Sequence, residues 1–108
     1  MAHNRDDHAK NFSFLMDGFG EWKLSPAYDL TFSNGPGGEQ STMVMGEGRN
    51  ITRTNLEKLG LEAKLSKAFI DEVIQNTIAA LGNWKNLVKG NGVKIENIEL
   101  IEKRFLMF

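Results

Sequence analysis

Nine consecutive residues, His3 to Asn11 (HNRDDHAKN), hold two His, two Asp, two Asn, one Arg and one Lys. Such density just ahead of a strand is unusual for a structural loop, and loops held by a rigid scaffold are where reacting groups tend to sit. Asn11 follows Asp6 by five residues, and a further carboxylate, Asp29, comes after a stretch with the marks of a β-hairpin. An amide oxygen (Asn11) and a carboxylate (Asp29) on neighbouring loops are hard oxygen donors of the kind Mg²⁺ takes, with water and phosphate oxygens completing the octahedron. Asp6 stands apart from that pair, placed to orient or deprotonate an acceptor hydroxyl. The chemistry implied is phosphoryl transfer, which depends almost wholly on positioning and electrostatics.

The elements that must position these groups are readable from turn chemistry and periodicity. Residues 12–17 (FSFLMD) put Phe12, Phe14 and Met16 on one parity, and 21–25 (EWKLS) put Trp22 and Leu24 on one parity. Asp17-Gly18-Phe19-Gly20 between them is turn chemistry, so the segment is predicted to be an antiparallel hairpin over 12–17 and 21–25. Ser25-Pro26 ends it. Residues 33–40 (SNGPGGEQ) read as a flexible loop, and 41–45 (STMVM) as a further short strand. From residue 52 the period changes. Thr54 with Glu57 has the spacing of a capping box, Thr52 is a competing cap, and Gly60 is the expected stop of a short helix. Leu65, Phe69, Ile70, Val73, Ile74, Ile78 and Leu81 form one stripe, predicting a core-facing helix over 65–81 closed by Gly82. A last helix is predicted over 94–105, with Ile95, Ile98, Ile101 and Phe105 on one face. The class is α+β, a hairpin and loops packed on a small helical bundle, in a single domain spanning 1–108.

Composition bounds the partners. The 108 residues carry 13 Lys+Arg against 14 Asp+Glu, and the net charge of -1 excludes a broadly basic nucleic-acid-coating protein. Residues 1–50 have four basic and seven acidic groups, while 51–108 have nine basic and seven acidic; the basic excess there reads as a solvated helix face. There is no Cys, which removes disulfides, thiolate nucleophiles and Cys-based zinc sites and fits a reducing cytoplasm. No apolar run approaches the roughly 20 residues of a membrane span. The polar N-terminus lacks the apolar region of a secretory signal.

Plainer readings stand beside the chemical ones. Asp6, Asn11 and Asp29 are each, singly, ordinary loop-capping residues; together, in this order around a hairpin, they favour the metal-centred reading. His3 and His8 are weak evidence for zinc, and His3 also reads as a surface residue. Trp22 and Tyr28 read as packing groups rather than nucleobase stackers. The tail Phe105-Leu106-Met107-Phe108 is either docked in the core or part of an exposed patch.

The kinase catalytic loop H-R-D-x-x-x-x-N, a hairpin, and then a metal-binding Asp have the same order as Asn4-Arg5-Asp6, Asn11, the hairpin and Asp29 in AYDL. NRDDHAKNFSFL, GEWKLSPAYDL and the stretch Gly48 to Leu56 (GRNITRTNL) resemble the C-terminal lobe of HipA-like serine/threonine kinase toxins of bacterial toxin–antitoxin modules, over roughly the whole chain. That resemblance implies a fold like the lower part of a kinase C-lobe. It implies Asp6 as the catalytic aspartate, Asn11 and Asp29 as Mg²⁺ ligands, and His8 and Lys10 at positions around the phosphates of ATP. It further implies a protein substrate, typically an aminoacyl-tRNA synthetase, and a small DNA-binding antitoxin as partner, with no direct contact to nucleic acid or membrane. Full-length members carry an N-terminal lobe with the phosphate loop and an ATP-pairing Lys; this chain has no G-x-G-x-x-G and no V-A-I-K, and Gly18 and Gly20 belong to a hairpin turn. The expectation is a C-terminal part of such a kinase, inactive or nearly so alone, with ATP and Mg²⁺ as cofactors of the full-length family. The alternative is a non-catalytic interaction domain that binds the antitoxin or another protein.

Overall fold

The computed structural model describes residues 1–108, the side chain of Pro36 excepted. Its strands lie in the first half of the chain and its α-helices begin at residue 53, so the class is α+β.

Strands β1 (Phe14–Met16) and β2 (Trp22–Leu24) pair antiparallel, with Phe14 opposite Leu24, Leu15 opposite Lys23 and Met16 opposite Trp22. Asp17 builds the turn. Its carboxylate accepts the N–H groups of Phe19 (2.9 Å) and Glu21 (3.1 Å), and its own N–H donates to the Glu21 carbonyl at 2.9 Å. The Glu21 and Phe19 amides hold the Asp17 carboxyl below the usual carboxylate range, because they stabilise only the charged form. The strands are shorter than predicted, and all six of their residues are exposed. Side chains alternate along a strand. The register therefore gathers Phe14, Met16, Trp22 and Leu24 on one face and leaves Leu15 and Lys23 on the other.

The strand predicted at 41–45 does not form. Val44 and Glu47 make one isolated bridge around a two-residue turn in which Met45 (φ 52) and Gly46 (φ 80) are both left-handed. That conformation at both central positions is the primed hairpin turn, and it takes up the residues a longer strand would need.

Helix α1 (Arg53–Glu62) starts one residue after Thr52. The Thr52 hydroxyl accepts the Asn55 N–H at 3.4 Å, and Asn55 Oδ1 accepts the Thr52 N–H at 2.9 Å. The cap is thus Thr52 rather than Thr54, since Glu57 is occupied by Arg53 Nε at 2.7 Å. Gly60 does not stop the helix. It lies inside it, where a Cβ would come within 2.6 Å of Ile70 Cδ1, so the glycine serves a close helix crossing. The left-handed exit falls on Lys64 instead (φ 59). Helix α2 (Lys67–Gly82) starts after Ser66, whose hydroxyl accepts the Phe69 N–H at 3.2 Å. Arg53 ties the two helices together by donating to Asp71.

Only Ile70 and Ile74 of the α2 stripe are buried; Phe69 and Val73 stay about half exposed, at 48% and 47%. A short helix, α3 (Trp84–Lys89), was not expected from periodicity, because six residues give too few apolar repeats; it buries Val88. Helix α4 (Ile95–Glu102) buries Ile98 and is joined to α3 by Lys85–Glu102 at 2.7 Å. It ends before Phe105, whose ring packs edge-on against Trp84 at 5.7 Å. The tail divides between the two expectations. Leu106 N–H bonds the Met1 carbonyl at 3.1 Å, while Met107 and Phe108 are exposed.

Among the described residues Ile51, Ile70, Ile74, Val88 and Ile98 are the buried apolar ones. The molecule exposes 8012 Å². A monomer of its mass exposes about 6,000 Å². Its radius of gyration is 15.7 Å, against about 13 Å for a compact domain of this length. The uncovered hairpin and the half-covered helix stripe account for the direction of both differences. Among the described residues no helix is long and apolar enough to cross a membrane.

Candidate functional site

Asn11 closes a single 3-10 turn, Ala9–Asn11, and the chain leaves it directly into the hairpin. The Asn11 Oδ1 accepts the His8 N–H at 3.0 Å, which fixes the side chain across the turn. The same amide's Nδ2 donates to Asp29 Oδ2 at 3.4 Å. The two residues that the sequence offers as metal ligands therefore meet at the root of the hairpin, from loops on either side of it. Ser13 and Ser25, joined hydroxyl to hydroxyl at 3.0 Å, close the hairpin base beside them.

Asp29 sits in the left-handed region at φ 54. Asp tolerates that conformation better than most residues, and held strain of this kind tends to cluster where a side chain must be aimed. The preceding residue anchors it. Tyr28 donates its hydroxyl to the Lys10 carbonyl at 3.0 Å, so the Asp29 loop is tied to the turn that carries Asn11. This is a role for Tyr28 beyond packing, and an aromatic next to Asp in AYDL was its only sequence signal.

The remaining predicted residues take separate places. Asp6 is exposed in an irregular segment and, among the described residues, its side chain makes no hydrogen bond or salt bridge. Lys10 is exposed, with its backbone rather than its ammonium engaged. His8 is half-buried, and its Nδ1 is buried without a hydrogen-bond partner among the described residues. A cavity of about 130 Å³ opens beside Asn11, lined also by Asn4, Asp7, Phe12, Leu24 and Tyr28. A second, of about 470 Å³, lies against Asn4, Asp7, Phe12, Thr42 and Ile51 among others. Asp7 lines both cavities and Asp6 lines neither. The sequence alone had not singled out Asp7 from its neighbour.

His3 is not a surface residue. It is 5% exposed, lies in the left-handed region (φ 60) and stacks on Phe32 with ring centroids 5.5 Å apart. Burial, and then the guanidinium groups of Arg5 and Arg104, push its imidazole pKa down, so it is held neutral. Its Nε2 has no hydrogen-bond partner among the described residues. The backbone carbonyl of His3 accepts the Ser33 N–H at 2.9 Å, and the Arg5 N–H donates to the Ser33 carbonyl at 3.1 Å. Residues 3–5 are thus laid parallel to the chain just beyond Asp29.

The donor set suits a hard cation in one respect and limits it in another. Asp29 and the Asn11 side chain are adjacent through the amide Nδ2, while the amide oxygen faces the His8 N–H and retains a second lone pair after accepting from it. No group of three His, Cys, Asp or Glu gathers among the described residues. The protein alone offers two oxygens, which is how Mg²⁺ is held where phosphates and water supply the rest.

The family model described as HipA-like C-terminal domain matches residues 1–84, from the polar loop through helix α2 and into the start of α3. No curated protein and no solved structure matches the chain.

Proposed function

This chain belongs to the HipA-like C-terminal domain family, and on that premise we propose that it is the acceptor- and metal-binding part of a cytoplasmic protein serine/threonine kinase of the toxin–antitoxin type. One observation carries the reading: Asn11 and Asp29, on loops either side of the hairpin, lie within a hydrogen bond of each other. Asp29 and Asn11 are the residues that would hold Mg²⁺, and the ion would neutralise charge on the phosphate oxygens of a bound nucleotide. For its oxygen to serve beside Asp29, the Asn11 amide would exchange both its N–H bond to Asp29 and its acceptance of the His8 N–H for a flipped orientation. His8 and Lys10 lie on the same turn, and Lys10 is free to reach a phosphate oxygen. Asp6 takes the proton of an acceptor hydroxyl whose oxygen forms the new bond to the γ-phosphorus. The bond to the bridging oxygen breaks, and its electron pair leaves with ADP. The acceptor is a serine or threonine of a protein, and the partner that silences the kinase is a DNA-binding antitoxin.

The chain alone is inactive or nearly so, because its sequence has no Gly-rich phosphate loop or strand-borne lysine to hold the α- and β-phosphates. NMR titration with Mg²⁺ and ATP tests the metal reading. Resonances of Asn11 and Asp29 shift, and Asp29→Asn abolishes the shift; spectra unchanged at millimolar ligand end the reading. Asp6→Asn and Asp7→Asn, compared in a full-length kinase, decide which carboxylate serves the acceptor.

A second reading has its own observation. Phe14, Met16, Trp22 and Leu24 present an apolar hairpin face left open among the described residues, each 59–66% exposed. Such a face fits a non-catalytic domain that binds the antitoxin or another protein. Retained partner binding by Asp29→Asn, together with silence in the Mg²⁺ titration, would favour it.

A further inference from the structure

We infer that Arg5 is a positioning residue for Asp6, acting by clasping the segment 33–49 onto the loop that carries it; as a statement about catalysis this rests on the reading of Asp6 given above. The side chain of Arg5 donates to the Gly38 carbonyl through one terminal nitrogen and to the Arg49 carbonyl, at 3.2 Å, through the other. The guanidinium fork thus bridges two carbonyls from distant parts of one loop. A lysine has no planar pair of donors with which to do this.

The backbone on both sides of Asp6 is pinned by the same segment. The Arg5 carbonyl accepts the Ser41 N–H at 2.9 Å and the Ser41 hydroxyl at 3.1 Å. The Asp7 carbonyl accepts the Thr42 hydroxyl at 2.5 Å. Asp6 lies between these two anchored carbonyls, exposed and with no side-chain partner among the described residues. Its aim therefore depends on its backbone alone. The fit is close. At Gly35 (φ +68) a Cβ would come within 2.7 Å of Arg5 Cβ and 2.3 Å of the Glu39 carbonyl oxygen, so only glycine lets the loop wrap the arginine. Glu39 and Arg49 pair at 2.5 Å, and the Gln40 N–H bonds the Gly48 carbonyl at 2.8 Å, which closes the segment on itself. A proton-accepting carboxylate must be held near its productive geometry to contribute to rate. The clasp supplies that constraint without touching the reacting atoms.

Amide hydrogen exchange on the intact chain tests the clasp. In Arg5→Ala and in Arg5→Lys the amides of Ser41 and of residue 5 exchange roughly tenfold faster or more, the size expected from two lost hydrogen bonds, while amides of α2 keep their protection. Failure of Arg5→Lys to restore protection marks the fork rather than the charge. Thr42→Val, which removes one pin and leaves Arg5 in place, speeds exchange locally by a smaller factor, and it decides the matter if Arg5→Ala does not fold. Unchanged exchange at Ser41 in a folded Arg5 variant overturns the inference, as does loss of α2 protection in step with Ser41 in both Arg5→Lys and Thr42→Val. A second arm uses Mn²⁺·ATP as a paramagnetic probe. The expected result is relaxation at Asn11 and Asp29 that is equal in wild type and Arg5→Lys, with relaxation at Asp6 that falls in the variant. Relaxation at Asp6 that does not change overturns the positioning role. No relaxation at Asn11 or Asp29 in the wild type overturns the metal reading and the catalytic meaning of the clasp, while exchange still decides whether the clasp exists.

Discussion

Gly60→Ala is the substitution on which the helix packing can be judged most sharply. An alanine inside an exposed helix is worth about 1 kcal/mol over glycine by intrinsic propensity. Were Gly60 merely a helix stop or an unconstrained position, the change would stabilise the protein by about that much. The structure gives the opposite sign. A Cβ at residue 60 would lie 2.6 Å from both Cδ1 and Cγ1 of Ile70, which is 5% exposed and cannot swing into solvent. Overpacking of this kind costs about 1–3 kcal/mol, so the net expectation is a loss of about 1 kcal/mol. Ile70→Ala removes Cδ1, Cγ1 and Cγ2 and costs about 2–5 kcal/mol alone. In that background Gly60→Ala meets less obstruction, so the double variant should be more stable than the sum of the singles by roughly 1 kcal/mol, within the range of coupling seen for residues in contact. Urea unfolding followed by far-UV circular dichroism gives all four free energies of the cycle. A Gly60→Ala protein stabilised by about 1 kcal/mol, with no coupling to residue 70, would refute the close crossing of α1 and α2.

Two further outcomes follow from single side chains. His3 is held neutral in the fold by burial, so the unfolded chain binds the extra proton; stability is full above about pH 6.5 and falls as the pH drops below it, and His3→Asn, which keeps a residue tolerant of φ 60, should flatten that slope in urea midpoints taken from pH 7.5 to 5.5. An equal slope in the variant would place the titration elsewhere. Thr52→Ala should cost about 1 kcal/mol as a lost N-cap and Thr54→Ala close to nothing, and thermal unfolding showing the reverse order would move the start of α1.

The polar loop shows how far residue types carry a site. Asp6, Asn11 and Asp29 can be picked out because carboxylates and amides at these spacings have a recognisable chemical use. Their order around a hairpin already implies that the two loops approach. Asn11 and Asp29 do meet. Arg5, Tyr28 and Asp7 were not legible in the same way. Their importance lies in which distant carbonyl or cavity they face, and no local pattern encodes that. His3 read as a surface residue for the same reason, since a lone polar residue near the N-terminus has no periodicity to show that Phe32 covers it.

Local chemistry alone determined the elements that need only their neighbours: the Asp17 turn, the break at Pro26, the existence of the two main helices and the α+β class. These depend on turn hydrogen bonds, caps and side-chain periodicity, which act over a few residues. Tertiary structure decided what required a distant partner. Thr52 rather than Thr54 caps α1 because Glu57 is drawn to Arg53, which Asp71 of α2 holds from eighteen residues on. Gly60 continues the helix because Ile70 crosses behind it, and the 65–81 stripe is only half a core because no element covers Phe69 and Val73. The 41–45 strand gave way to the Val44–Glu47 turn within a segment held to Arg5 at Gly38, Ser41 and Arg49. In each case two groups far apart in the chain compete for, or share, one position in space, and that competition is settled only when the chain is folded.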